Sequence, residues 1–427
     1  MKSDLPGYNH YFKLGGKDIW SFINETAAAQ EIESGSKIVN LGQGFFSYSP
    51  PEFAIKAAKD AFDVPMFNQY APARGKPHLL KTLADTFSSR LCKKLSTDEI
   101  QVTTGANEGM LSVFVGLLEQ GDEVIVFQPF FDQYIPNIEI AGGKVVYVKL
   151  FPPADFGERT VTGDEWTIDW EGLENAITSK TKMIVINSPY NPIGKVFNND
   201  ELKRIGDLAV EHNFYILSDE VYENLYFEPK LTRMSLINPL IARRTITVGS
   251  AGKTFAATGW RIGWIIADKE IIPPITAAHT RICFSTPAPL QEAVASAFDI
   301  ANTNGYFGKM RADYIHKYEI FDSIFDELKL PYTVAAGGYY LLVNFKKVKI
   351  PENFEYPESI KDQKRDFKLA YWFIKEFGVV AIPPSVFYLP EDGHIIEDCL
   401  RFAICKTDDV LEEAVKRLKP LKKYIVN

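Results

Sequence analysis

Through the middle of the chain, short β-branched apolar runs alternate with longer stretches patterned at helical spacing. The runs at 100–104, 123–127, 144–150, 182–187, 213–218, 244–249 and 261–267 predict seven strands. Between the first two, the spacing predicts a helix from Glu108 to Leu118, stopped by Gly121. Apolar strands separated by helices imply a mostly parallel sheet covered on both faces, hence an α/β fold. Residues 1–40 and those beyond 305 read differently, with helices between short strands such as Tyr339–Val343 and Cys399–Ile404. The expected organisation is a large domain over 41–305 and a smaller α+β domain over 306–427, joined by 1–40 as an N-terminal arm. Two irregular stretches, 151–166 and the proline-punctuated 346–366, read as surface insertions.

Composition narrows the function classes. A chain of 427 residues with 46% hydrophobic and 24% charged positions is that of an ordinary globular protein. A net charge of −8 argues against nucleic-acid binding as the main activity. Cys92, Cys283, Cys399 and Cys405 form no C-x-x-C pair, so they read as buried thiols in a reducing compartment, with no metal site expected. The stretch Met1–Lys13 has no apolar signal core and no arginine, and no apolar run reaches the ~18 residues of a membrane helix. The expectation is a cytoplasmic protein without a membrane partner, a mitochondrial form staying open.

Ligands of doubly wound sheets gather at the carboxyl ends of the strands, so the residues there carry the chemistry. Gly105-Ala106-Asn107 follows the first strand and opens a helix, offering free N–H groups to a phosphate, although an ordinary βα turn reads the same way. The rigid loop Ser188-Pro189-Tyr190-Asn191-Pro192-Ile193-Gly194 places the Asn191 amide at another strand end. Asp219 ends a third apolar strand, and a following helical turn would put Tyr222 on its face. Such a carboxylate can keep a pyridine nitrogen protonated; a helix N-cap is the alternative. Ser250-Ala251-Gly252-Lys253 is followed by Thr258-Gly259-Trp260-Arg261-Ile262-Gly263. A lysine among small residues at a sheet edge can form an imine with a carbonyl carbon, while Ser250 and Arg261 suit a phosphate. Arg401, between Leu400 and Phe402, is either a carboxylate clamp or half of a structural salt bridge.

In this order the motifs resemble the fold-type I, class I aminotransferases, with the closest likeness to the kynurenine aminotransferase and glutamine transaminase K group. The likeness runs from Leu41-Gly42-Gln43-Gly44 to Leu400-Arg401-Phe402, and its most specific part is the S-x-x-K-x-x-x-x-T-G-W-R-I-G run. The resemblance implies pyridoxal 5'-phosphate as cofactor, with Lys253 as imine lysine and proton-transfer base. Asp219 would partner the pyridinium nitrogen, and Asn191 and Tyr222 the ring hydroxyl. Ser250, Arg261 and the backbone of Gly105, Ala106 and Asn107 would bind the phosphate, and Phe131 would stack on the ring. Gly44 and Arg401, helped by Asn191, would bind the substrate α-carboxylate. Trp20 and Phe284 would line the substrate pocket, with Tyr134 nearby. Tyr70 matches a tyrosine that reaches the neighbouring subunit's phosphate, which implies a homodimer.

The implied reaction moves an amino group from an aromatic-type amino acid, kynurenine first, to a 2-oxo acid such as 2-oxoglutarate. A cysteine-conjugate β-lyase or another aromatic or glutamine aminotransferase is the alternative on the same fold. A nicotinamide enzyme is disfavoured because no G-x-G-x-x-G follows a strand. The chain departs from many relatives at Tyr190 and Ile193, where they carry histidine and threonine. It departs from some at Asn107, where they carry an aromatic ring, and at Ser285, where they carry histidine. These changes bear on substrate preference.

Overall fold

All seven apolar runs fold into neighbouring strands of one sheet in this computed structural model, which describes residues 10–12, 19–228 and 230–426. The strand order is Ile100–Thr103, Gly263–Ile266, Thr245–Ser250, Tyr215–Asp219, Thr181–Asn187, Glu123–Gln128, Lys144–Phe151, Thr167–Ile168. The last strand makes eight where seven were expected. Its two residues are too few to show a period, and it pairs antiparallel with Lys144–Phe151.

The five strands from Thr245–Ser250 to Lys144–Phe151 run parallel. Alternate residues serve opposite faces. Ile125 and Phe127 join Ile184, Ile186 and Ile216 beneath the helix Asn199–Glu211. Val124 and Val126 join Val185, Leu217 and Val248 beneath the helices Gly105–Leu117 and Ile272–Ile282.

Gly263–Ile266 is the exception among the long strands, antiparallel to both its neighbours. Gly263 pairs with Thr103 on one side and Ser250 on the other. Its amino end therefore lies at the edge where those strands finish, and Arg261, two residues earlier, arrives there as well. Reading only residues that follow strands would have missed this; the short tether from Ser250 turns the chain back.

A second sheet has the order Cys399–Ala403, Tyr340–Asn344, Tyr332–Val334, Val161–Thr162. Its fourth strand comes from 151–166, so that stretch is not a surface insertion. Phe156 and Trp166 are buried, and Trp166 Nε1 donates to Thr333 Oγ1 at 3.3 Å. Two large rings outweighed the polar, proline-marked composition around them. The other irregular stretch, 346–366, is mostly exposed, with Val348, Ile360 and Asp366 buried. Ile23 and Ala27 of the helix Ile19–Ser34 pack into one core with Phe321, Trp372 and Phe402. Cys399 and Cys405 are buried as expected, but Cys92 is exposed and Cys283 half-buried. No helix among the described residues is long and apolar enough to cross a membrane.

Candidate active site

The strand ends converge on a cavity of about 210 Å³. Its walls include Ala106, Asn107, Phe131, Asn191, Asp219, Tyr222, Ser250, Lys253 and Arg261, which sequence reasoning picked from six separate segments. Each is placed by its own local structure.

Gly105 opens its helix with φ +80°, a conformation that favours glycine, and a Cβ there would come within 2.5 Å of Arg261 Nη2. The guanidinium thus lies against the helix N-terminus, where amides and dipole both favour an anion. Arg261 itself is left-handed, φ 55° and ψ 48°, and donates Nη1 to Thr258 O at 3.0 Å. Holding a non-glycine residue in that region costs roughly 1–2 kcal/mol, which the surrounding structure supports. Glu108 fixes the turn by accepting from Thr104 N at 2.8 Å and facing His279 Nδ1 at 3.0 Å.

Asp219 is fully buried. No helix follows it, so the N-cap alternative fails; Val221–Asn224 form a turn, and Val221 N donates to Asp219 Oδ1 at 3.2 Å. Arg233 pins that turn by bonding Glu220 and Glu223, which holds Tyr222 over the cavity. Tyr134, expected near the substrate pocket, lines the cavity, and its hydroxyl donates to Asp219 Oδ2 at 2.5 Å. Burial raises the Asp219 carboxyl to about 6, opposed by the bonds from Tyr134 and Val221 and by the charge of Lys253. Among the described residues Asp219 has no ion-pair partner, so a cationic group of a ligand would complement it.

Asn191 sits where Asn187 ties two loops together: Asn187 Oδ1 accepts from Asn191 N at 2.8 Å, and Asn187 Nδ2 donates to Asp219 O at 2.9 Å. Tyr190, the departure from relatives, anchors the loop through its hydroxyl, which donates to Pro129 O at 2.7 Å.

Arg401 is only 2% exposed. Its Nη1 donates to Asn191 Oδ1 at 3.2 Å and its Nη2 to Gly42 O at 3.0 Å, while Nε has no partner. Its guanidinium lies 4.2 Å from the Tyr340 ring centroid, 4.9 Å from Phe387 and 5.6 Å from Trp20. No carboxylate pairs with it among the described residues, so the structural salt bridge is not formed there. Gly44 packs so closely that a Cβ would come within 2.2 Å of Tyr340 Oη.

Lys253 follows Ser250 on a single helical turn, Ala251–Thr254, and donates Nζ to Tyr339 Oη at 2.6 Å. Tyr339, Tyr134 and Asn187 were not assigned these roles from sequence. Tyr339 and Tyr340 follow Gly337-Gly338 into an apolar strand, a pattern that reads as core. Tyr70 and Phe284 stand outside the cavity, 88% and 57% exposed, with ring centroids 5.3 Å apart.

These residues fit pyridoxal phosphate: a cationic cradle at a helix N-terminus, a buried carboxyl with no ion-pair partner among the described residues, and a lysine in the same cavity. A family profile described as aminotransferase class I and II matches residues 36–418. A Saccharomyces cerevisiae protein named "Probable kynurenine--oxoglutarate transaminase" is 56% identical over 98% of this chain and 95% of its own length. The kynurenine–oxoglutarate transaminase of Dictyostelium discoideum is 36% identical over 90% of this chain and 91% of its own. The crystal structure of Bna3p from Saccharomyces cerevisiae superposes with a TM-score of 0.97 at 54% identity, covering 99% of this chain and 100% of that one.

Proposed function

Because the chain belongs to the class I and II aminotransferases, we propose that it transfers the amino group of kynurenine to 2-oxoglutarate with pyridoxal phosphate bound in the cavity. The observation that carries this reading is Arg401, a buried cation with no carboxylate partner among the described residues, one hydrogen bond from the cavity residue Asn191.

Bound there, pyridoxal phosphate supplies a carbonyl carbon conjugated to an electron-withdrawing ring. Lys253 would hold that carbon, and its free amine would take the proton from the substrate Cα. Asp219 would keep the ring nitrogen protonated. Asn191 and Tyr222 would hold the ring hydroxyl, Phe131 would lie against the ring, and Ser250, Arg261 and the amides of 105–107 would hold the phosphate. Arg401 orients the α-carboxylate, which fixes the Cα–H bond towards Lys253. Trp20 leaves an aromatic wall beside that carboxylate, suited to a large flat side chain. A second copy of the chain would cover the exposed Tyr70 and Phe284 rings and bring Tyr70 to its neighbour's phosphate. The kynurenine relatives support both substrates.

The test compares kcat/KM for kynurenine, phenylalanine, glutamine and aspartate with one fixed acceptor. Kynurenine should lead, its oxo product cyclising to fluorescent kynurenic acid. Turnover of aspartate with kynurenine inert would end the substrate assignment.

A further inference from the structure

The bond from Lys253 continues. Tyr339 Oη accepts from Lys253 Nζ at 2.6 Å and donates onward to Gly44 O at 3.0 Å. A phenol has one hydrogen, and a carbonyl can only accept. With that hydrogen committed to Gly44, the phenol oxygen meets the lysine as an acceptor alone. Lysine must then present an N–H, and the lone pair of a neutral amine points elsewhere. The tyrosine is well fixed: its ring lies 5.1 Å from Tyr222 and 5.7 Å from Phe46, edge-on to both, and is stacked 6.2 Å from Tyr314. Burial pushes the Tyr339 phenol well above its ordinary range, which keeps the hydrogen in place.

We infer that Tyr339 is the positioning residue for the released amine of Lys253, holding Nζ by an N–H so that its lone pair stays open to the substrate proton. The inference rests on the aminotransferase reading above. In the step it serves, the substrate Cα–H bond breaks and its electron pair stays with the substrate carbon. The proton forms a new N–H bond on the lysine lone pair, and the resulting ammonium keeps its bond to the phenol oxygen. Gly44, which orients the phenol, lies two residues from Gly42, whose carbonyl accepts from Arg401. One short loop thus sets both the carboxylate clamp and the base.

Tyr339→Phe removes the acceptor and keeps the ring. In the cofactor-loaded enzyme, the single-turnover half-reaction should slow about tenfold or more, as for loss of a hydrogen bond to a charged group. The isotope effect from a Cα-deuterated substrate should grow, while borohydride still fixes the cofactor to Lys253. In the full chain without cofactor, labelling of Lys253 by acetic anhydride at one fixed pH should quicken, because the phenol no longer holds Nζ. Unchanged rate, isotope effect and labelling overturn the inference. If that variant misfolds, 3-fluorotyrosine at 339 keeps the shape and weakens the acceptor. The same readouts should then move the same way by less, and no movement overturns the inference equally. Failure of borohydride to fix the cofactor to Lys253 in the unsubstituted enzyme is a separate result: it removes the aminotransferase assignment of Lys253, and this inference with it.

Discussion

The Tyr134 hydroxyl donates to Asp219 Oδ2 at 2.5 Å in the cavity wall, opposing the burial that lifts that carboxyl to about 6. In the chain without cofactor, folded Asp219 binds its proton more tightly than an unfolded aspartate of ordinary value 3.8. Between those values the folded state holds more protons, so Asp219 costs stability as pH rises from about 4 through 6. Asp219→Asn should therefore gain stability over the unsubstituted chain on going from pH 4.5 to 7.5, by at most about 3 kcal/mol. Thermal midpoints of both proteins at the two pH values check this; a pH-independent difference contradicts it. Tyr134→Phe should act oppositely at pH 7.5, costing about 1–3 kcal/mol as a bond to a charged group is lost.

With cofactor bound, the same carboxyl has a different task. Asp219→Ala should retain cofactor yet lose up to about a thousandfold in transamination if roughly 4 kcal/mol of stabilisation disappears. Near-normal turnover would mean that another group protonates the ring nitrogen.

Lys253 should carry the chromophore. The purified protein is expected to be yellow, and after borohydride the cofactor mass should stay on the peptide containing Lys253. Attachment surviving in Lys253→Ala would remove the central assignment.

Arg401→Lys keeps the charge and loses the forked donor geometry. The kcat/KM for amino acids should fall about ten- to a hundredfold. Half-reaction with an amine lacking the carboxylate should change little. Equal losses for both kinds of substrate would show that Arg401 supports the fold alone.

Tyr70→Phe should loosen cofactor by about 1–3 kcal/mol, read from its dissociation rate, with the dimer intact in sedimentation. A fully active monomer would end the shared-site reading.

The parallel core was legible because its strands are apolar on both faces and long enough to show a pattern. Lys253, Asp219 and Asn191 were legible because strand ends are the places where such polar groups make chemical sense. Thr167–Ile168 was too short to see, and the burial of Trp166 depends on a partner, Thr333, far away in the chain. Tyr134 and Tyr339 were hidden for another reason. Nothing local separates a core tyrosine from one whose hydroxyl meets Asp219 or Lys253; only the folded distances do. Arg401 shows the converse, since its lack of an acidic partner among the described residues became visible only once the fold had brought its neighbours together.

The reversed strand Gly263–Ile266 bears on how the gene could be rearranged. Residues 251–262 leave the edge at Ser250 and return to it at Gly263, so the reactive lysine and the Arg261 anchor ride on one closed excursion. A circular permutant opened inside that excursion would free one from the other and should lose cofactor. One opened within the exposed 357–359 stretch, which carries no residue of the cavity, should keep it.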